Sequence, residues 1–141
     1  MPSFKIFDIA GSGLSAQSVR LNTVASNLAN ADSVSGNPNT VYKARHPVFE
    51  AVRAALTTPQ GGSDGNAAVR VRGIVESNAA PTARYEPGNP LASAAGYVYA
   101  PNVNVVEEMV DMISASRAYQ NNVEVMNTSK ELMLATLRLG Q

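Results

Sequence analysis

All eight prolines of this chain, Pro2, Pro38, Pro47, Pro59, Pro81, Pro87, Pro90 and Pro101, fall outside two long windows, residues 3–37 and 102–141. Proline inside a helix removes a backbone hydrogen bond and collides with the preceding turn, so these windows are where long helices can form. Both windows carry apolar residues at seven-residue spacing. In the first stand Phe7, Leu14, Leu21 and Leu28, with Val24 beside them. In the second stand Val105, Met112, Tyr119, Met126 and Met133, flanked by Met109, Val123 and Leu137. A side chain repeated every seven residues stays near one line along a helix, so each comb reads as a seam for another helix.

The first helix is expected from about Ser3 to Ala31, stopped by Asp32, Ser33, Ser35 and Gly36. The second is expected over roughly 104–139, with Asn104 as cap, Glu107 reaching back in capping-box fashion and Gly140 closing the far end. Glu107, Glu108 and Asp111 suit the positive end of its dipole. At ~1.5 Å per residue such a helix is ~54 Å long, more than a compact body of this size would cover.

Between the helices, residues 41–49, Val69–Val75 and Tyr97–Tyr99 read as short strands rich in Val, Ile and Tyr. The Gly-rich stretch from Gly61 to Asn66 and the run Glu86-Pro87-Gly88-Asn89-Pro90 read as turns, with a flexible loop expected near 57–67. The expected fold is therefore mainly α with a small β-rich insert, an elongated subunit whose terminal helices pack as a coiled-coil-like pair. Three parts follow: an N-terminal helix over 1–36, the insert over 37–101 and a C-terminal helix over 102–141.

The polar sides of both helices are nearly free of charge. Arg20 is the only ionised residue between Ile9 and Ala31, and Glu124 the only one between Ala118 and Ser129. A solvated helix face favours Lys and Glu, whereas uncharged amides and hydroxyls can be buried at modest cost once hydrogen-bonded. Such faces suit helices surrounded by other helices. Gly11 and Gly13 weaken the first helix by ~1 kcal/mol each relative to alanine, so tertiary contact must support it.

Lys plus Arg and Asp plus Glu balance at 11 each, which does not suit a general nucleic-acid binder. The absence of cysteine excludes disulfides and thiolate metal sites. The first residues show no Sec-type signal, and no apolar run approaches the ~20 residues that span a bilayer. Gly61-Gly62-Ser63-Asp64-Gly65 matches the nucleophile-elbow pattern, but its flanks are not a buried strand and a helix, and His46 is the only imidazole in the chain. No catalytic, metal or cofactor site is expected, and the chain reads as a non-enzyme.

The string Leu21-Asn22-Thr23-Val24-Ala25-Ser26-Asn27-Leu28-Ala29-Asn30-Ala31 resembles the N-terminal signature of bacterial flagellar rod and hook proteins, carried here by Asn22, Ala25, Asn27, Leu28, Ala29 and Asn30. The block from Asn102 to Tyr119 looks like the other end of that family. With Phe7 to Leu14, Tyr85 to Pro90 and the ending Leu137 to Gln141, nearly the whole chain resembles the C-type proximal rod branch. The longer spacer between Asp32 and Tyr42 also fits that branch.

The resemblance implies a structural subunit of the basal-body rod, the hollow periplasmic shaft that transmits torque and encloses the export channel. It further implies export through the flagellar type III apparatus without cleavage, and terminal helices packed as an inner, axial tube with the insert outside. The implied partners are other rod subunits, copies of the chain itself, rod-base or MS-ring adaptor proteins and the export apparatus, with no cofactor, no nucleic acid and no membrane span. A helical adaptor or tip component of another type III secretion system is the nearest alternative, and a serine hydrolase the distant one.

Overall fold

The computed structural model describes residues 2–53 and 67–139. Two long helices, α1 (Pro2–Asn30) and α2 (Val105–Leu139), enclose in sequence four strands: β1 (Arg45–Arg53), β2 (Ala67–Glu76), β3 (Thr82–Tyr85) and β4 (Tyr97–Ala100). Pro2 opens α1, the position where a missing N–H costs nothing. Tight backbone turns end it, the Ala31 amide donating to Leu28 O at 3.2 Å and the Ser33 amide to Asn30 O at 3.1 Å. Asn104 caps α2: its Oδ1 accepts the Val106 amide at 3.1 Å, and its carbonyl accepts the Glu108 amide at 3.0 Å. Among the described hydrogen bonds none closes the expected capping box: Glu107 is exposed, and it is Glu108 that is buried. The expected cap at Gly140 and the loop residues 57–66 lie outside the described residues, while Ala67 already belongs to β2.

β1 and β2 form an antiparallel hairpin in which Arg45 faces Glu76 and Arg53 faces Ala67. Its register shifts between Val48, opposite Gly73, and Phe49, opposite Val71, so Arg72 is the extra, bulged residue. The second sheet pairs β3 with β4, from Thr82 opposite Ala100 to Tyr85 opposite Tyr97. The Tyr85 and Tyr97 rings meet edge to face with centroids 5.2 Å apart. Gly96 holds a φ of 80° there, and a side chain on it would strike the Tyr85 ring.

β1 begins later than the apolar run at 41–49 suggests. Val41 and Ala44 are buried outside the strand, and the Ala44 amide donates to Asn102 Oδ1 at 2.7 Å. With Val98, Ala100 and Pro101 they make the small core of the insert. β3 was not expected, since four residues carry too little periodicity to be read. The linker after α1 is stitched to β4 by paired backbone bonds between Ser35 and Tyr99, at 3.0 and 2.8 Å.

α1 is the spine of the molecule: it packs against α2, β1 and β2, whereas α2 packs against α1 alone among the described elements. That asymmetry decides which surfaces remain open.

Candidate assembly surfaces

The two helices run antiparallel, with Gly13 against Asn122, Arg20 against Asp111 and Asn27 against Glu108. On α1 these residues, Gly13, Arg20 and Asn27, are seven apart, so they lie on one line. On α2 the deeply buried residues Glu108, Ala115 and Ser129 fall on a second such line together with half-buried Asn122. Small and polar residues therefore lie along the closest approach of the helices. Gly13 leaves little room there: a Cβ would sit 3.1 Å from the Asn122 side-chain amide, a tight contact that Asn122 would have to yield to.

Away from the Arg20–Asp111 and Asn27–Glu108 contacts, three polar residues at or beside this seam bond back into their own helices. Thr23 Oγ1 donates to Val19 O at 2.8 Å, Asn122 Nδ2 to Ala118 O at 2.9 Å and Ser129 Oγ to Val125 O at 2.7 Å. Hydroxyls and amides bonded to the carbonyl four residues back can be buried without a partner from outside. This is the physical use of a polar face without Lys or Glu.

The apolar combs sit beside this line. On α1, Phe7, Leu14, Leu21 and Leu28 are half-buried and Val24 is buried. On α2, Met112, Met126 and Met133 are half-buried, while Val105, Met109, Tyr119, Val123 and Leu137 are exposed, Leu137 to 69%. Further apolar residues that the seven-residue spacing did not single out are also open. Val106 at 70%, Val110 and Ile113 join Met109 on the face of α2 turned away from α1. Near the other end, Leu132 and Leu134 are exposed too, and Ile6, Ser129, Leu132, Met133 and Thr136 line an apolar groove of about 180 Å³.

Of the signature residues, Asn27 alone enters the interior. Its side chain is fully buried and uses every hydrogen-bonding position it has. Oδ1 accepts the Tyr42 hydroxyl and the Arg45 amide, both at 2.9 Å. Nδ2 donates to Arg45 O and to Glu108 Oε1, both at 2.8 Å. Asn27 thus ties α1 to the linker, to the start of β1 and to the first turn of α2. Asn30 Nδ2 donates back to Ser26 O at 2.8 Å, and Asn22, Ala25 and Ala29 are exposed. Next to the joint, Arg20 donates to Asp111 at 2.6 Å.

Burial holds the Glu108 carboxyl above the ordinary glutamate range; the Asn27 hydrogen bond and the nearby His46 oppose that rise without cancelling it. His46 itself is exposed on β1. The Gly61–Gly65 motif lies outside the described residues, and among the described residues no group of three or more His, Asp or Glu is placed to hold a metal ion. The largest cavity described, about 460 Å³ between the linker 33–43, Arg45 and Glu76, is polar. Four of the polar side chains around it bond in pairs, Ser35 with Thr40 at 2.7 Å and Arg45 with Glu76 at 3.0 Å. Among the described residues, no helix is long and apolar enough to cross a membrane.

Comparison with known proteins matches both helical ends and the whole chain. Residues 7–36 match a family described as flagella basal body rod protein, and residues 94–139 match the C-terminal region described for flagellar basal body rod FlgEFG proteins. The flagellar basal-body rod protein FlgC of Escherichia coli O6:H1 is 57% identical over the full length of both chains. That of Salmonella typhimurium is 56% identical, again over both full lengths. The Bacillus subtilis protein of the same name is 36% identical, with all of both chains aligned.

Proposed function

The chain belongs to the family of flagellar basal-body rod proteins, and we propose that it joins the rod through the helix faces that a single copy leaves open. It is a structural subunit of the proximal rod, located in the flagellar basal body, and not an enzyme. The observation that carries the assembly reading is that α2 packs on α1 and on no other described element. A 35-residue helix covered along one side exposes apolar residues on the others, and these gain from a neighbour's surface.

On this reading α1 and α2, with the terminal stretches 1–36 and 102–141, form the inner, axial part of the subunit as a coiled-coil-like pair, and the insert 37–101 lies outside it. The seven-residue lines Gly13, Arg20, Asn27 and Glu108, Ala115, Asn122, Ser129 support that pairing. The half-buried comb residues Leu14, Leu21, Met112, Met126 and Met133 then form seams shared between the pair and its neighbours. Copies of the chain and other rod subunits are the partners along the shaft. Rod-base or MS-ring adaptor proteins at its foot, the type III apparatus as exporter and a periplasmic position complete the proposal.

The test is complementation of a non-motile strain lacking the subunit. Leu21→Asp and Met126→Asp each place a charge in a packed helix interface and are expected to abolish rod assembly and swimming. Normal swimming with both variants would remove these seams from the assembly.

A further inference from the structure

Glu108 is out of character for its position. A glutamate in the first turn of a helix usually stands in solvent near the dipole, yet this one is only 4% exposed. Its Oε1 accepts Asn27 Nδ2 at 2.8 Å, and its Oε2 is sealed with no hydrogen-bond partner. Asn27 cannot supply a second donor, because its other N–H is committed to Arg45 O. Neither neighbouring guanidinium helps: Arg20 of α1 is bound to Asp111 at 2.6 Å and Arg45 of β1 to Glu76 at 3.0 Å. The remaining charges oppose one another. His46 on β1 favours the carboxylate, while Asp111 and Glu107 on α2 disfavour it. An ionised carboxylate with one buried, unpartnered oxygen is costly in this position, and a neutral carboxylic acid is much less so.

We infer that the Asn27–Glu108 contact is a proton-sensitive latch, which fastens the first turn of α2 to α1 and to the root of the β1–β2 hairpin more firmly as the medium acidifies. The geometry gives the latch its reach. One asparagine bridges α1, Tyr42 of the linker, the backbone of Arg45 and α2, so loosening Glu108 removes the direct hydrogen bond from that hub to α2. The sign follows from linkage. A carboxyl with a higher pKa in the closed joint than in the open chain binds its proton more readily when closed. Its contribution to closing is full below the open-chain value and is lost as pH rises through the closed-joint value. The device lies within one chain and does not depend on how subunits assemble.

The test is hydrogen exchange at the Arg45 amide, which donates to Asn27, in the purified full-length chain from about pH 4 to about pH 8, corrected for the intrinsic exchange rate. In the wild-type chain protection is expected to fall with rising pH, about tenfold for each unit separating the closed and open values. Glu108→Gln keeps the shape and the acceptor but not the charge, and its profile is expected to be flat. His46→Gln removes the electrostatic interaction that favours the Glu108 carboxylate, so its fall is expected at higher pH than in wild type. Because His46 is exposed, this variant keeps the fold and the test holds even where Glu108→Gln does not fold. The latch is overturned by the same pH profile in wild type and Glu108→Gln, by an unmoved profile in His46→Gln, or by a wild-type Arg45 amide unprotected at every pH.

Discussion

At one end of the helix pair, Asn27, Tyr42, Arg45 and Glu108 close a hydrogen-bonded joint; at the other, Ile6, Leu132 and Met133 line an open apolar groove. Hydrogen bonds have directions and fixed partners, so the joint specifies one register between α1, α2 and the insert. Apolar surface has no such selectivity, and it accepts any neighbour of fitting shape. The chain therefore settles its own architecture at the polar end and leaves the apolar end and the outer side of α2 for others. Few large residues are buried in the helix pair: among its described residues the buried apolar ones are Ala10, Ala16, Val24 and Ala115. With each buried methylene worth about 0.8 kcal/mol, this seam alone holds the pair weakly.

The contrast is broken most severely at the joint. Asn27→Ala strands the Arg45 amide, leaves the Tyr42 hydroxyl with Ser26 Oγ alone at 3.2 Å and removes the donor to Glu108, and an orphaned buried group costs about 1–3 kcal/mol. Urea unfolding of the purified chain is expected to show a loss of about 2–4 kcal/mol. A loss below about 0.5 kcal/mol, the usual range for surface substitutions, would mean that the joint does not set the fold.

On the open surfaces the opposite pattern is expected. Val106→Asp and Leu137→Asp change residues exposed to 70% and 69%, so the free chain should shift by no more than about 0.5 kcal/mol. Swimming in soft agar should nonetheless be lost, because the added charge meets a neighbour's apolar surface in the rod. Normal swimming would show that these faces stay in solvent.

The smallest effect separates two glycines of α1. A Cβ at Gly11 meets nothing within 4 Å, so Gly11→Ala should stabilise the free chain by up to ~1 kcal/mol through helix propensity. At Gly13 the new Cβ lies 3.1 Å from Asn122, and the gain should be smaller or reversed. Equal gains at both positions would contradict the close approach of the helices there.

The proline-free windows made both helices legible from the sequence, and Asn104 marked the start of α2 to within a residue. The Val- and Ile-rich run Val69–Val75 likewise located β2. The line of closest approach was hidden because Gly13, Ala115 and Ser129 carry no hydrophobic signal, although their seven-residue spacing with Arg20, Asn27, Glu108 and Asn122 was there to be read. Glu108 was read as a dipole residue, since a sequence does not show that a first-turn glutamate will be swung inward by an asparagine 81 positions away. The signature around Asn27 announced the family, but the joint it builds needed the folded linker and β1 in place.

Hydrogen exchange of residues 105–115 and 126–138, measured in the purified chain and again in isolated basal bodies, tests the division between a self-closed joint and open, assembly-dependent faces most directly. Residues 105–115 are expected to be protected in both states, whereas 126–138 should gain about tenfold or more only within the rod. Equal protection of 126–138 in the free chain and in the rod would contradict it.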